Sequence, residues 1–77
     1  MSIKEQIIRI MNEIKPTKDL SGVTDIIEGG YLDSFGLMSL ISLLSEGFGV
    51  EIGIDEIVPE NFNSVAAIVA MVDRLLG

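Results

Sequence analysis

Residues 33–49 read DSFGLMSLISLLSEGFG, and this stretch decides the fold class. Its large apolar residues recur at helical spacing, which places them on one face of a helix. They are Leu37, Leu40, Ile41, Leu44 and Phe48. Asp33 is a preferred N-cap residue, and Gly47 and Gly49 both offer C-terminal stop positions because glycine tolerates the left-handed conformation. The pattern predicts a helix over residues 34–47.

Segments on both sides of this stretch also show helical periodicity. Ser2 and Glu5 fit the capping-box pattern, and the isoleucines that follow keep helical steps until a proline interrupts them. This predicts a first helix over residues 3–15. Ser64 precedes another apolar-periodic segment, which predicts a last helix over residues 65–77.

The connection over residues 16–33 mixes proline, glycine, serine, threonine and aspartate, which breaks any regular period. It nonetheless contains several large apolar residues, namely Leu20, Val23, Ile26, Ile27 and Leu32. We expect these side chains to be partly buried, with the loop lying across the helices. Loops of this length in small domains are often functional.

The segment between the second and last helices is also irregular. Residues 50–54 alternate like a strand, but a lone short strand has no partner in this chain, so the pattern indicates an extended loop with Ile52 and Ile54 buried. Asp55 is expected to cap a short helical turn over residues 56–58.

These elements together predict an all-α fold. It is a small four-helix bundle with three main helices, one short helix and a long loop between the first two helices. We expect one domain over residues 1–77. Surface scaling for 8.3 kDa predicts a folded accessible area of about 4,600 Å².

The composition argues against an enzyme. The chain has 77 residues and contains no histidine and no cysteine. The commonest zinc ligands and the usual catalytic bases and nucleophiles are therefore missing. The acidic residues lack the spacing of a calcium-binding loop, so we expect no metal site.

The charge is negative and unevenly distributed. Residues 1–18 carry a net charge of +2, while residues 19–77 carry −9. An acidic chain opposes binding to nucleic acid and to anionic lipid, and it favours a basic protein partner. The longest apolar run, residues 65–72, is too short to span a bilayer, and no secretory signal is visible. We therefore expect a cytoplasmic protein with no membrane span.

Ser34 is the residue whose side chain is best placed for a chemical role. It begins the second helix, where unpaired backbone N–H groups and the helix dipole favour a phosphate ester. It lacks a neighbouring base, so it is not expected to act as an enzyme nucleophile. From the dipeptide alone, a simple N-cap pair is the more common interpretation of Asp33 and Ser34.

Three segments of the sequence together resemble an acyl carrier protein, and the resemblance covers nearly the whole chain. They are Leu32-Asp33-Ser34-Phe35, then Leu40, Leu44 and Phe48-Gly49-Val50-Glu51-Ile52, then Pro59-Glu60-Asn61-Phe62-Asn63-Ser64-Val65. The resemblance implies that Ser34 receives 4′-phosphopantetheine from coenzyme A through a phosphopantetheinyl transferase. Asp33 is then the adjacent acid that caps the helix and is read by the transferase.

The resemblance also implies a function and a set of partners. The arm's thiol would carry acyl or aminoacyl groups as thioesters for fatty acid, polyketide or related biosynthesis. The partners would be an acyl- or aminoacyl-loading enzyme and a ketosynthase or another acyl-processing enzyme, and the carrier would be a monomer.

The exposed face of the second helix departs from the acid-rich surface of fatty acid carriers. Glu46 is its only acid. A more apolar docking surface is therefore expected, formed by Phe35, Met38, Ser39 and Ser42. This departure is typical of a stand-alone carrier for a dedicated pathway, such as polyketide, aminoacyl or specialised lipid assembly.

Three alternatives remain open from sequence. The chain could be a small helical protein-interaction module without a prosthetic group. Phe35 and Met38 could simply shield the loop, since scattered exposed apolar residues are common. A set of apolar residues could form the core or line an acyl pocket, namely Leu44, Phe48, Phe62, Val65, Ile68 and Val72.

Overall fold

The computed structural model describes residues 2–77, and within this range the chain forms four α-helices and no strand. The helices are α1 (Ile3–Ile14), α2 (Ser34–Phe48), α3 (Pro59–Phe62) and α4 (Val65–Leu76), with a 3₁₀ turn at Ile54–Glu56 before α3. The predicted all-α class is confirmed. The accessible area of 4586 Å² agrees with the scaling prediction.

The three long helices begin at the predicted caps. The Ser2 hydroxyl accepts the Glu5 N–H at 3.1 Å while the Ser2 N–H donates to the Glu5 carboxylate at 3.2 Å. The Ser64 hydroxyl accepts the Ala67 N–H at 3.0 Å. Helix α2 continues through the predicted stop at Gly47 and ends at Gly49, whose φ of 64° is left-handed.

The segment after α2 differs from the prediction in two respects. The short turn expected at residues 56–58 is instead a 3₁₀ turn at Ile54–Glu56, with Gly53 rather than Asp55 at the N-cap position. Ile54 was expected to be buried, but it is 88% exposed, while Ile52 is half-buried. Side chains two positions apart point to the same side only where the backbone is extended. The 3₁₀ turn begins at Ile54, so Ile54 does not share the half-buried side of Ile52.

The core lies where α1 packs against α2 and α4. Three residues of the long first connection, Leu20, Ile26 and Leu32, are buried in this core, which confirms that the loop lies across the helices. The helices supply the remaining buried side chains, which are Ile7, Met11, Leu40, Leu44, Phe62, Val65, Ile68, Met71 and Val72. Phe48 is half-buried and packs against this cluster.

Candidate functional site

Ser34 occupies the first position of α2, immediately after its N-cap. The Asp33 backbone is extended, and its carboxylate accepts the Gly36 N–H at 2.8 Å. The Ser34 side chain is exposed, and no group within residues 2–77 forms a hydrogen bond with its hydroxyl. The cap therefore fixes the turn of backbone that carries Ser34 while the hydroxyl stays free to react.

Because Gly36 has no side chain, Leu32 and Asp33 can lie close to the first turn of α2. A β-carbon at Gly36 would lie 3.1 Å from Leu32 Cδ2 and 3.4 Å from the Asp33 carboxylate. Both distances are at or below the lower edge of ordinary van der Waals contact. A side chain at this position would therefore push against the buried Leu32 and the cap.

The loop that leads into Ser34 is held by Asn63, at the junction of α3 and α4. Asn63 Oδ1 accepts the N–H groups of Ile27 at 2.9 Å and Glu28 at 3.1 Å, and its carbonyl accepts the Ile26 N–H at 2.8 Å. Asn63 Nδ2 donates to the Glu28 carboxylate at 2.7 Å. We call this set of four hydrogen bonds the Asn63 bridge.

The Asn63 bridge continues into a tight turn. The Ile26 carbonyl accepts the N–H groups of Tyr31 at 2.9 Å and Leu32 at 3.3 Å, and Gly30 supplies a left-handed φ of 77°. Asn63 was not among the predicted site residues. Its amide can both donate and accept, which suits a bridging residue, but nothing local indicates a partner 35 residues away.

The four predicted docking residues lie together on the exposed side of α2. Phe35 is 85% and Met38 58% exposed, and Ser39 and Ser42 are exposed beside them. With Leu43, which the sequence analysis did not include, they line a shallow depression of about 460 Å³. Helix α2 has no acid in its first turn, and none of the residues that line this depression carries a charge.

A second, more enclosed space lies between α2 and the segment around α3. Its lining is almost wholly apolar and includes Leu37, Ile57 and Phe62, and its volume is about 100 Å³. Small-molecule sites usually have volumes of about 300–1,000 Å³. This space is therefore small for a ligand site.

Two carboxyl groups, those of Glu5 and Asp19, have clearly lowered pKa values. Hydrogen bonds from Ser2 lower the pKa of Glu5, and hydrogen bonds from Ser21 lower the pKa of Asp19. Both groups are fully exposed, so both shifts reflect local stabilisation of a carboxylate by N–H donors. They concern helix and turn formation rather than the candidate site.

A small helical fold with an exposed serine at the start of its second helix is characteristic of one class of carrier proteins. The chain belongs to the family described as having a phosphopantetheine attachment site, and the family model matches residues 2–72. Members of this family are carriers without catalytic activity, and they bear covalently attached 4′-phosphopantetheine. The resemblance to acyl carrier proteins is thereby confirmed.

The chain is also similar to particular curated proteins along their full length. It is 33% identical over 79 residues to the D-alanyl carrier protein of Leuconostoc mesenteroides subsp. mesenteroides, with 100% of each chain covered. It is 29% identical over 79 residues to the D-alanyl carrier protein of Leuconostoc citreum, again with 100% of each covered. The D-alanyl carrier protein of Streptococcus pyogenes serotype M5 is 32% identical over 77 residues, covering 97% of this chain and 96% of that one.

The structure adds one finding on membranes. Within residues 2–77, every helix is too short or too polar to cross a bilayer.

Proposed function

We propose that this protein carries an aminoacyl or acyl group as a thioester on a 4′-phosphopantetheine arm attached to Ser34, and delivers that group to partner enzymes. The supporting observation is the exposed, unpartnered Ser34 hydroxyl at the start of α2, in a chain of the phosphopantetheine family. The bound arm supplies a terminal thiol, which the chain itself lacks because it has no cysteine.

The environments of the other serines favour Ser34 as the attachment residue. The hydroxyls of Ser2 and Ser64 accept helix-cap N–H groups, and the Ser45 hydroxyl donates to the Val50 carbonyl at 2.6 Å. The remaining serines, Ser21, Ser39 and Ser42, lie in the first connection or inside α2. Ser34 alone among the described serines combines an unpartnered hydroxyl with a helix N-terminus, where backbone N–H groups favour a phosphate.

The attachment reaction needs a partner enzyme. The Ser34 oxygen forms a bond to the coenzyme A phosphorus that bears pantetheine, the P–O bond of the pyrophosphate breaks, and adenosine 3′,5′-bisphosphate leaves. The hydroxyl proton passes to a base that the phosphopantetheinyl transferase supplies, since this chain has no histidine. Asp33 keeps the Ser34 turn in place for the transferase through its bond to Gly36.

The attachment is tested by intact mass after incubation with coenzyme A and a broad-specificity transferase. We expect the unchanged protein and Ser21→Ala to gain one phosphopantetheine and Ser34→Ala to gain none. Ser21 is the control because it is another exposed serine and lies outside the proposed docking surface. Modification of Ser34→Ala, or an unchanged mass of the natural chain with several transferases, would contradict the proposal.

The surface formed by Phe35, Met38, Ser39 and Ser42 is the proposed docking surface for the transferase and the loading enzyme. Its support is the exposure of two large apolar side chains next to Ser34. Met38→Glu should raise the KM for modification without changing the melting temperature. Glu5→Gln, which changes charge on the exposed side of α1, should leave that KM unchanged.

An aminoacyl group, with D-alanyl as the first candidate, is the proposed cargo in preference to a fatty acyl or polyketide chain. The relatives are named D-alanyl carrier proteins. In addition, the apolar space beside Leu37 and Phe62 measures only about 100 Å³, which offers little shelter for a long chain. The loading partner would then be an enzyme that activates an amino acid.

The cargo is identified by the mass of the protein isolated from its native cell, measured before and after hydroxylamine treatment, which cleaves thioesters. We expect a hydroxylamine-sensitive alanyl increment, and chiral chromatography of the released alanine hydroxamate should give the D form. A long-chain acyl increment would contradict the aminoacyl proposal while leaving the attachment at Ser34 intact.

The remaining parts of the proposal follow from the carrier role. The chain acts as a single carrier domain and as a monomer, since it presents one attachment serine and one docking surface. A cytoplasmic location is proposed because a reducing compartment keeps the working thiol free of disulfides.

A further inference from the structure

A cleft lies beside Ser34, on a different side of α2 from the proposed docking surface. The end of α1 and the residues after it form one wall, through Lys15, Pro16 and Thr17. Tyr31 and Asp33, which precede Ser34, form the other wall. The cleft has a volume of about 310 Å³ and shares no lining residue with the depression around Met38.

Two cations lie in or beside the cleft, and neither forms a salt bridge. Within residues 2–77 the one salt bridge joins Arg74 to Glu56, and the Asp19 carboxylate is a Coulombic neighbour of Lys18 without forming a salt bridge to it. Lys15 is half-buried in the cleft wall. The Lys18 ammonium lies 5.4 Å from the centre of the Tyr31 ring, within cation–π range. Two of the five cations in an acidic chain are therefore held near Ser34.

The acid in the cleft is already engaged. Asp33 accepts the Gly36 N–H, so its carboxylate faces the start of α2 and forms no ion pair with Lys15. A phosphodiester on Ser34 would add a negative charge next to Asp33 in a chain of net charge −7. The Lys15 and Lys18 ammonium groups offset this repulsion, because opposite charges at short range stabilise one another.

We infer that this cleft holds the phosphodiester and the first part of the pantetheine arm when no partner enzyme is bound to the protein. The inference rests on attachment at Ser34. Lys15 and Lys18 provide the positive charge, the hydroxyls of Thr17 and Tyr31 provide hydrogen-bond donors, and Pro16 provides apolar contact. The docking surface on the other side of α2 stays accessible while the arm is in the cleft.

The experiment compares amide NMR spectra of the protein with and without the arm, after intact mass has confirmed complete modification. We expect shift changes at residues 14–17 and 31–33, and cross-peaks between the pantetheine methyl groups and the Tyr31 ring. In the double variant Lys15→Gln and Lys18→Gln the cross-peaks should disappear. In wild type they should weaken with added salt, because salt screens exposed charge pairs.

The matched control is Lys4→Gln, which removes a positive charge from the same helix about 16 Å away along its axis. We expect this variant to keep the cross-peaks, and circular dichroism should show all variants folded. Shift changes restricted to residues 33–35, or spread over residues 38–43 instead, would overturn the inference. So would equal losses in Lys4→Gln and the double variant.

The failures of the two proposals are distinguishable. A protein that gains no phosphopantetheine mass overturns attachment at Ser34 and this inference together. A protein that gains the mass but shows no contact between the arm and the cleft overturns the inference alone.

Discussion

The two connections that flank α2 are built differently. The first, residues 15–33, buries Leu20, Ile26 and Leu32 in the core. The Asn63 bridge connects it to the junction of α3 and α4. The second, residues 49–58, has no fully buried residue and exposes Ile54. Only the first leads into Ser34. The second connection has the Arg74–Glu56 ion pair as a long-range contact. The segment that leads into Ser34 is therefore the more strongly anchored of the two because of its buried residues and the Asn63 bridge.

The largest expected effect concerns the buried isoleucine of the first connection. Ile26→Ala should lower the free energy of unfolding by about 2–5 kcal/mol, because it removes buried methyl groups and leaves a cavity. Ile54→Ala in the second connection should change it by less than about 0.5 kcal/mol, since Ile54 is exposed. Urea denaturation of both variants measures the difference. Equal losses would show that the two connections are equally well anchored.

The Asn63 bridge gives the next largest effect. Asn63→Ala should lower the free energy of unfolding by about 1–3 kcal/mol, because the N–H groups of Ile27 and Glu28 lose their acceptor. Amide hydrogen exchange at these two residues should accelerate, and modification of Ser34 should slow.

The matched variant for the bridge is Asn61→Ala. Asn61 lies in α3, and its Nδ2 donates at 2.8 Å to the carbonyl of Glu56 in the second connection. This variant should accelerate exchange around the 3₁₀ turn and leave modification of Ser34 unchanged. Slower modification in Asn61→Ala than in Asn63→Ala would contradict the proposed role of the bridge.

The N-cap residues of α2 and α4 allow a closer comparison. Asp33→Ala and Ser64→Ala should each lower the free energy of unfolding by about 0.5–2 kcal/mol, because each removes one N-cap acceptor. Asp33→Ala should also lower kcat/KM for modification about tenfold, equivalent to about 1.4 kcal/mol. Ser64→Ala should not. Equal kinetic effects would assign the loss to general instability.

The smallest effect is a pH dependence in the first connection. Hydrogen bonds from Ser21 lower the pKa of Asp19 below its ordinary value of 3.8. The charged carboxylate therefore stabilises the folded chain above that value, and this contribution disappears as the pH falls through the lowered pKa. In Asp19→Asn the melting temperature should fall less between pH 5 and acid pH than in wild type. An identical pH profile would contradict this assignment.

Local patterns in the sequence predicted most of the helices and the position of Ser34. The caps at Ser2, Asp33 and Ser64 depend on residues three positions away, so their consequences are visible in sequence. The extended alternation at Ile52 and Ile54 was misleading because a 3₁₀ turn replaces it at Ile54.

Contacts between distant segments could not be predicted in the same way. The Asn63 bridge joins residues 35 and 36 positions apart. The cleft beside Ser34 likewise depends on the end of α1 meeting the start of α2, and only the folded chain places Lys15 next to Asp33. These features depend on packing, and no local propensity encodes them.

The Asn63 bridge has a consequence for protein synthesis. The ribosome makes Ser34 well before Asn63, and the turn at residues 26–32 lacks the bridge until the later residue has been made and folded back. Domains fold as units during synthesis, so a nascent chain that ends before Asn63 presents Ser34 on a loop without the bridge. We therefore expect modification of Ser34 to follow synthesis of Asn63, and unfinished chains to be poor acceptors of phosphopantetheine.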